Sequence, residues 1–402
     1  MLVDQSKMSP LTAVIVYDGC GQSRVYDQDG TQVVNEKPGR SNVKDLMGVF
    51  LPAGYPHTVT PDYTPYQIYD SFQAFFSTIA GLLSSRAVLQ GFGVGDSGSS
   101  ATAALLLTIL QESTGRLATI LFAHRYGLAI EPECKYYRFI ADIVNDVALF
   151  LDIMSPALST YPKIMALCGA GVLRALCGVS GGSAKASLSA HFAKNGNLAE
   201  LNAKDNSQET VISLLGLLAG SILVQFVHSK EAVMAWMIVL VGLHLWTNYK
   251  AVRSVQLRSL NKQRTCIVLD ELIRSGRVLS PEQVAARESI LSWVGPRISF
   301  ANTFPKGPEL KGIDFYSIRH KPYVIVNNGG AKKIYMKDRQ EVDDIHDPSD
   351  ARAIHRALRA WVEAYCGTAD VDWPEFRRVG WKVRVDALET YPSVLLNVKF
   401  AA

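Results

Sequence analysis

Long stretches without a charged residue alternate along the chain with short polar breaks. Ser71 to Ser85 carries no charge, Ala87 to Gln111 only Asp96, and Ile153 to Leu173 only Lys163. Thr210 to Ser229 and Ala232 to Tyr249 add two more uncharged runs. A helix that crosses a bilayer needs about 20 mostly apolar residues. The pair 210–229 and 232–249 therefore predicts a membrane hairpin turning at His228-Ser-Lys-Glu231. Segments 71–90, 156–177, 99–123 and 136–155 predict further spans, the last two with more polar groups. Runs of this length also suit the buried helices of a large soluble bundle, and the pattern alone leaves that alternative open.

The flanks read differently. Thr12 to Tyr17 is β-branched and aromatic, and Asp29-Gly30 signals a turn before Thr31 to Val34, so residues 11–35 predict a small β element. Pro52, Pro56, Pro61 and Pro65 predict a loop over 36–70. Beyond Tyr249, Lys250, Arg253, Arg258, Lys262 and Arg264 occur with no acid in 248–264. By the positive-inside rule the C-terminal part faces the cytosol, stroma or matrix. A solvated helix face is the alternative, because 251–277 keeps helical spacing. Ser280 to Gln283 resembles a capped helix start. Tyr323 to Asn327 and Lys333 to Met336 predict a hairpin, 347–365 a helix, and Trp381 to Val385 and Val394 to Phe400 further strands. The expected fold is mainly α: a polytopic helical membrane bundle over 48–252, a β-rich segment over 1–47, and a C-terminal α+β domain over 253–402.

Composition sharpens this division. The 402 residues are 48% hydrophobic and only 19% charged. Residues 251–402 hold 42 of the 78 charges, so the last part is about twice as charge-dense as the rest. A net charge of +4 is too mild to argue for nucleic acid. The six cysteines form no C-x-x-C pair, which fits a reducing compartment, and the histidines show no metal-binding spacing. The start, MLVDQSKMSP, lacks the apolar run of a secretory signal, so the protein is not expected to be secreted.

Two features are candidates for chemistry. Arg138, Asp142 and Asp146 recur at helical spacing and share one stripe, with Asn145 beside them. Carboxylates one turn apart repel unless a cation or proton intervenes, and inside a membrane such groups line a pathway or pair internally. Asp142, Asn145 and Asp146 are therefore candidate ligand-binding or proton-binding residues, with Arg86 or Arg174 as partners. A structural salt-bridge cluster is the alternative. The second feature is a faint repeat. Arg86-Ala leads into Gly93-Val-Gly95-Asp-Ser97-Gly-Ser99-Ser100, and Arg174-Ala leads into Gly178-Val-Ser180-Gly-Gly-Ser183. Each predicts an apolar helix, a Gly/Ser loop and a second helix. Such loops open helices whose free N–H groups bind anions, so Gly93, Gly95, Ser97, Ser99, Ser180 and Ser183 are candidate ligand contacts. Small residues for close helix packing are the alternative. The helix before each loop argues against a dinucleotide fold or a nucleophile elbow, and no enzyme is expected. Asn206 or Ser207 is expected to cap the helix over 210–229.

Several phrases occur together and in order: Leu51-Pro-Ala-Gly-Tyr-Pro-His-Thr-Val-Thr-Pro-Asp-Tyr63, Tyr66-Gln-Ile-Tyr-Asp70, Ala141-Asp-Ile-Val-Asn-Asp146 and Ala203-Lys-Asp-Asn-Ser-Gln-Glu-Thr210. From about Gly48 to Val252 the chain resembles the root UV-B sensitive protein family, whose shared domain is named for vitamin B6 photoprotection and homeostasis. The resemblance implies a link to vitamin B6 balance and UV-B responses, action through a homologous partner or a homo-oligomer, and no assigned reaction. It suggests a small anionic metabolite such as pyridoxal phosphate as ligand, bound or transported beside membrane lipid. A non-catalytic membrane adaptor is the alternative.

Overall fold

The computed structural model describes residues 14–17, 23–26, 32–34, 48–91, 101–194, 196–291, 293–301, 321, 323–328, 330–337, 356–368, 371–383, 388 and 395–396. Near the N-terminus, β1 (Val14–Tyr17), β2 (Ser23–Tyr26) and β3 (Gln32–Val34) form an antiparallel sheet in that order. The sequence signals β1 and β3. β2 lies between them, inside the β element predicted over 11–35.

Six long helices make the body: α1 (Tyr63–Gly91), α2 (Ala101–Ile130), α3 (Cys134–Met154), α4 (Thr160–Phe192), α5 (Leu198–Phe226) and α6 (Lys230–Ser254). They alternate in direction, joined by short breaks wherever the link is described. Pro65 does not hold α1 back. It lies in the first turn, where a missing N–H costs nothing, so the loop predicted over 36–70 ends at Asp62. The 210–249 hairpin turns as expected, with the Ser229 hydroxyl accepting from Ala232 N at 3.1 Å. Two expectations are corrected. The helix before it begins at Leu198, where Leu201 is buried, so Asn206 and Ser207 lie inside α5 and cap nothing. Helix α4 is continuous, so Gly178 to Ser183 is helix and not a loop. Its small residues serve packing: a Cβ on Gly181 would meet Ala141 Cβ at 3.4 Å, so α3 and α4 lie close.

Helices α1, α4, α5 and α6, together with Leu105–Ile130 of α2, are long and apolar enough to cross a membrane. α3 packs against α1, α4 and α6. One end of the body is closed by Asp62, just before α1. Its carboxylate accepts from the backbone N–H of Gln256, beyond α6, at 2.6 Å and lies 2.9 Å from His191 Nε2 near the end of α4. Burial alone would raise the Asp62 pKa, but these bonds lower it from 3.8 to about 2.

The predicted helical spacing over 251–277 is broken by a buried extended segment around Val255, Leu257 and Leu260. It leads to α7 (Lys262–Ser275), capped by Asn261 and closed by Gly276 at φ +69°. In α8 (Pro281–Arg287), Ser280 and Gln283 form a reciprocal capping box. β4 (Ile298–Phe300), β5 (Tyr323–Asn328), β6 (Ala331–Lys337) and β7 (Leu395–Leu396) build a second sheet, in which β5 and β6 are the expected hairpin. α9 (Arg356–Cys366) and α10 (Trp373–Val379) contribute to a hydrophobic cluster that holds Val268, Leu269, Ile334, Trp361 and Phe376. Residues 381–383 form no strand. Trp381 instead buries its ring and donates to Leu279 O at 2.8 Å.

Candidate functional site

Helix α3 carries charge where its neighbours carry Leu and Ile. Lys135, Arg138, Asp142, Asp146 and Asp152 are 4%, 8%, 6%, 3% and 0% exposed. An unpaired charge in such a place costs several kcal/mol or more, so each needs a partner or a proton. α1 and α6 supply most of the partners. Arg138 Nη2 donates to Asp70 Oδ1 at 2.9 Å and to Gln73 Oε1 at 2.7 Å, and Nη1 donates to Asp142 Oδ2 at 2.8 Å. Asp142 Oδ2 also accepts from Gln73 Nε2 at 2.7 Å and from the Asn248 amide. Tyr66 donates to Asp70 at 3.3 Å.

The next turn of α3 places Asp146 Oδ2 2.8 Å from His244 Nδ1, while His244 Nε2 lies 3.1 Å from Gln73 Nε2. An amide nitrogen only donates. His244 Nε2 therefore accepts from Gln73 and Nδ1 donates to Asp146 in this arrangement, with Asp142 Oδ2 3.7 Å from Nε2. Counting Asp70, Asp142 and Asp146 against Arg138 leaves two negative charges in excess. Asp146 Oδ1 is buried without a partner. Higher along α3, Asp152 accepts from Ser84 at 2.7 Å and pairs with Arg174, and its Oδ1 is again unpartnered. A neutral carboxylic acid costs far less to bury than a carboxylate, so the arrangement has room for protons on Asp146 and Asp152.

At the foot of α3, Lys135 donates to Glu288 at 2.6 Å. Burial alone would raise the Glu288 pKa, but the charges of Arg264 and Lys135 hold it below its usual range. Beside this pair lies a cavity of about 280 Å³, lined in part by Glu133, Tyr136, Asn261, Lys262, Arg264 and Trp293. Lys135, Lys262 and Arg264 give it three cations against Glu133 and Glu288, so of the two sites this one has the charge for a small anion. Among the described residues no cluster suited to a metal ion occurs.

The expected site residues are thus dispersed. Asp142 and Asp146 share the network, with Asn145 half-buried on the same helix. Arg86 donates to Val224 O and Val227 O at 3.1 and 2.7 Å, closing the end of α5. Arg174 serves Asp152. Ser180 donates to Tyr137 O at 2.9 Å, and Ser183 is exposed. Gly93, Gly95, Ser97 and Ser99 lie outside the described residues. Sequence reasoning missed Asp152, His244 and Asn248, and although Asp70 and Gln73 read as too polar for a purely apolar packing role, it did not join them to α3. A usable signal existed for two of them: His244 and Asn248 sit one turn apart in the uncharged run 232–249.

Fold and site together define a helical protein whose central charged helix is enclosed by apolar ones. The chain belongs to the root UV-B sensitive family. The family model that matches residues 36–276 is the vitamin B6 photo-protection and homoeostasis domain. RUS family member 1 of Dictyostelium discoideum is 39% identical over 65% of this chain and 50% of its own length. Protein root UVB sensitive 3 of Arabidopsis thaliana is 31% identical over 74% of this chain and 72% of its own. The chain therefore spans about half of the first relative and nearly three quarters of the second. No solved structure matches the chain.

Proposed function

We propose that this protein is an integral membrane protein that binds a small anionic metabolite of the vitamin B6 group and moves it together with protons. The supporting observation is α3: buried carboxylates at Asp146 and Asp152, each keeping one oxygen without a partner, inside a shell of helices long enough to span. Ionisable groups in such a place commonly mark proton or substrate pathways. The anion meets the cations of the cavity at the foot of α3, and protons on the acidic network compensate its charge. The vitamer class comes from the description of the family domain. Pyridoxal phosphate fits it as the ligand, and no catalytic step is proposed.

The test is reconstitution of the full chain into vesicles with an internal pH dye and labelled pyridoxal phosphate. Wild-type protein should carry both label and protons, and Asp146→Asn should reduce both at least about tenfold. Folded wild-type protein that carries neither sinks this reading. It would favour the second one, a membrane adaptor acting through a partner. That reading is supported by Arg86 and Arg174, the cations expected to serve an anion, both being bound within the fold.

A further inference from the structure

Helix α2 packs chiefly against α4 and is little buried, and its outer face is unusual for either solvent. Leu105 and Ile109 are 60% and 51% exposed there. On the same stripe, Glu112 and Arg116 pair at 3.5 Å with side chains 62% and 81% exposed. Farther along it stand Ala123 and Gly127, one turn apart. A Cβ on Gly127 would meet nothing within 4 Å, so the notch is open. The inner face is different: a Cβ on Gly115 would meet Ala175 Cβ and Gly171 O of α4 at 3.3 Å. Leu105, Ile109, Glu112, Arg116, Ala123 and Gly127 thus form one continuous outward stripe.

Water suits the charged pair and not Leu105 and Ile109. Hydrocarbon suits Leu105 and Ile109 and not the pair, since a charge at mid-span is costly in lipid. A protein surface that offers both chemistries suits the whole stripe, and the stripe itself is such a surface. Its Glu/Arg pair is self-complementary under a two-fold axis, so each Glu112 can meet the Arg116 of a second copy. Small residues one turn apart let two helix backbones approach. The notch at Ala123 begins about 10 Å along the helix from Arg116, close enough for one shallow helix crossing to use both.

We propose that α2 is a self-association face, on which a second copy of this chain docks in parallel through Glu112, Arg116 and the Ala123/Gly127 notch. The inference rests on the membrane reading, but its readout is association and not flux, so the two can fail separately. The full chain is co-expressed with two different tags, purified in detergent and in nanodiscs, and scored for co-purification. Wild-type copies should pair. Glu112→Arg alone and Arg116→Glu alone should each reduce self-pairing by about tenfold, because like charges then face each other. A Glu112→Arg copy mixed with an Arg116→Glu copy should pair as wild type does, which also establishes that both variants fold. Gly127→Leu should weaken pairing at unchanged helicity by circular dichroism. Monomeric wild-type protein, single variants that pair normally, or a charge-swapped mixture that fails to pair would each overturn the proposal. The first of these outcomes would leave the face to lipid.

Discussion

Arg138 and Asp70 meet at 2.9 Å, although 68 residues separate them. The contact fastens α3 to α1 and gives Arg138 one of its two carboxylates. Removing the cation leaves Asp70 and Asp142 buried together without it. Arg138→Met should therefore cost about 3–5 kcal/mol, far more than the lost packing alone. Thermal unfolding of the variant in detergent checks this, and a melting temperature equal to wild type would refute it.

Asp146→Asn should behave in the opposite way. The substitution keeps the shape and removes a carboxylate whose second oxygen has no partner. Stability is expected to stay level or rise by up to about 1 kcal/mol, even where transport is lost. A loss of stability comparable to that of Arg138→Met would show that Asp146 is a fixed ion-pair member and not a proton carrier.

The closure at Asp62 gives a pH dependence. Its pKa is lowered from 3.8 to about 2, so the folded state favours the ionised form. The resulting stability, of order 2 kcal/mol, is fully present above about pH 4 and is lost as pH falls through 2. Asp62→Asn keeps an acceptor for the Gln256 N–H but loses the charge. Unfolding followed from pH 6 downward should show a constant gap between wild type and variant that closes near pH 2. A gap that persists into acid contradicts the assignment.

Close packing between α1 and α5 separates two glycines. A Cβ on Gly216 would lie 2.9 Å from Thr78 Cβ and 3.1 Å from Phe75 O, while one on Gly220 meets chiefly the end of Leu82 at 3.0 Å. Gly216→Ala should cost about 1–3 kcal/mol and Gly220→Ala clearly less, because a leucine tip yields and a backbone carbonyl does not. Chemical unfolding of the pair decides the order.

Much of the helical plan is legible in the sequence because lack of charge over some 20 residues is a local signal. The hairpin at Ser229 and the capping box at Ser280 are local too. The stripe of Arg138, Asp142 and Asp146 follows from helical spacing alone. Its partners do not: Asp70, Gln73, His244 and Asn248 reach it only through the packing of three helices. At 178–183 the expected loop is helix, and the close-packing reading of its small residues holds, for a physical reason. Glycine and serine mark loops in water, but between packed helices they mark close approach, as Gly181 against Ala141 does.

The bond between Asp62 and the backbone of Gln256 also settles how compartments are counted. Six alternating helices bring the chain back to the end from which it started. If the body spans a bilayer, whatever precedes Asp62 and whatever follows Gln256 emerges into the same compartment. Longer relatives can therefore extend either end without changing which solution that extension meets, and fluorescent reporters on the two termini would read one common pH.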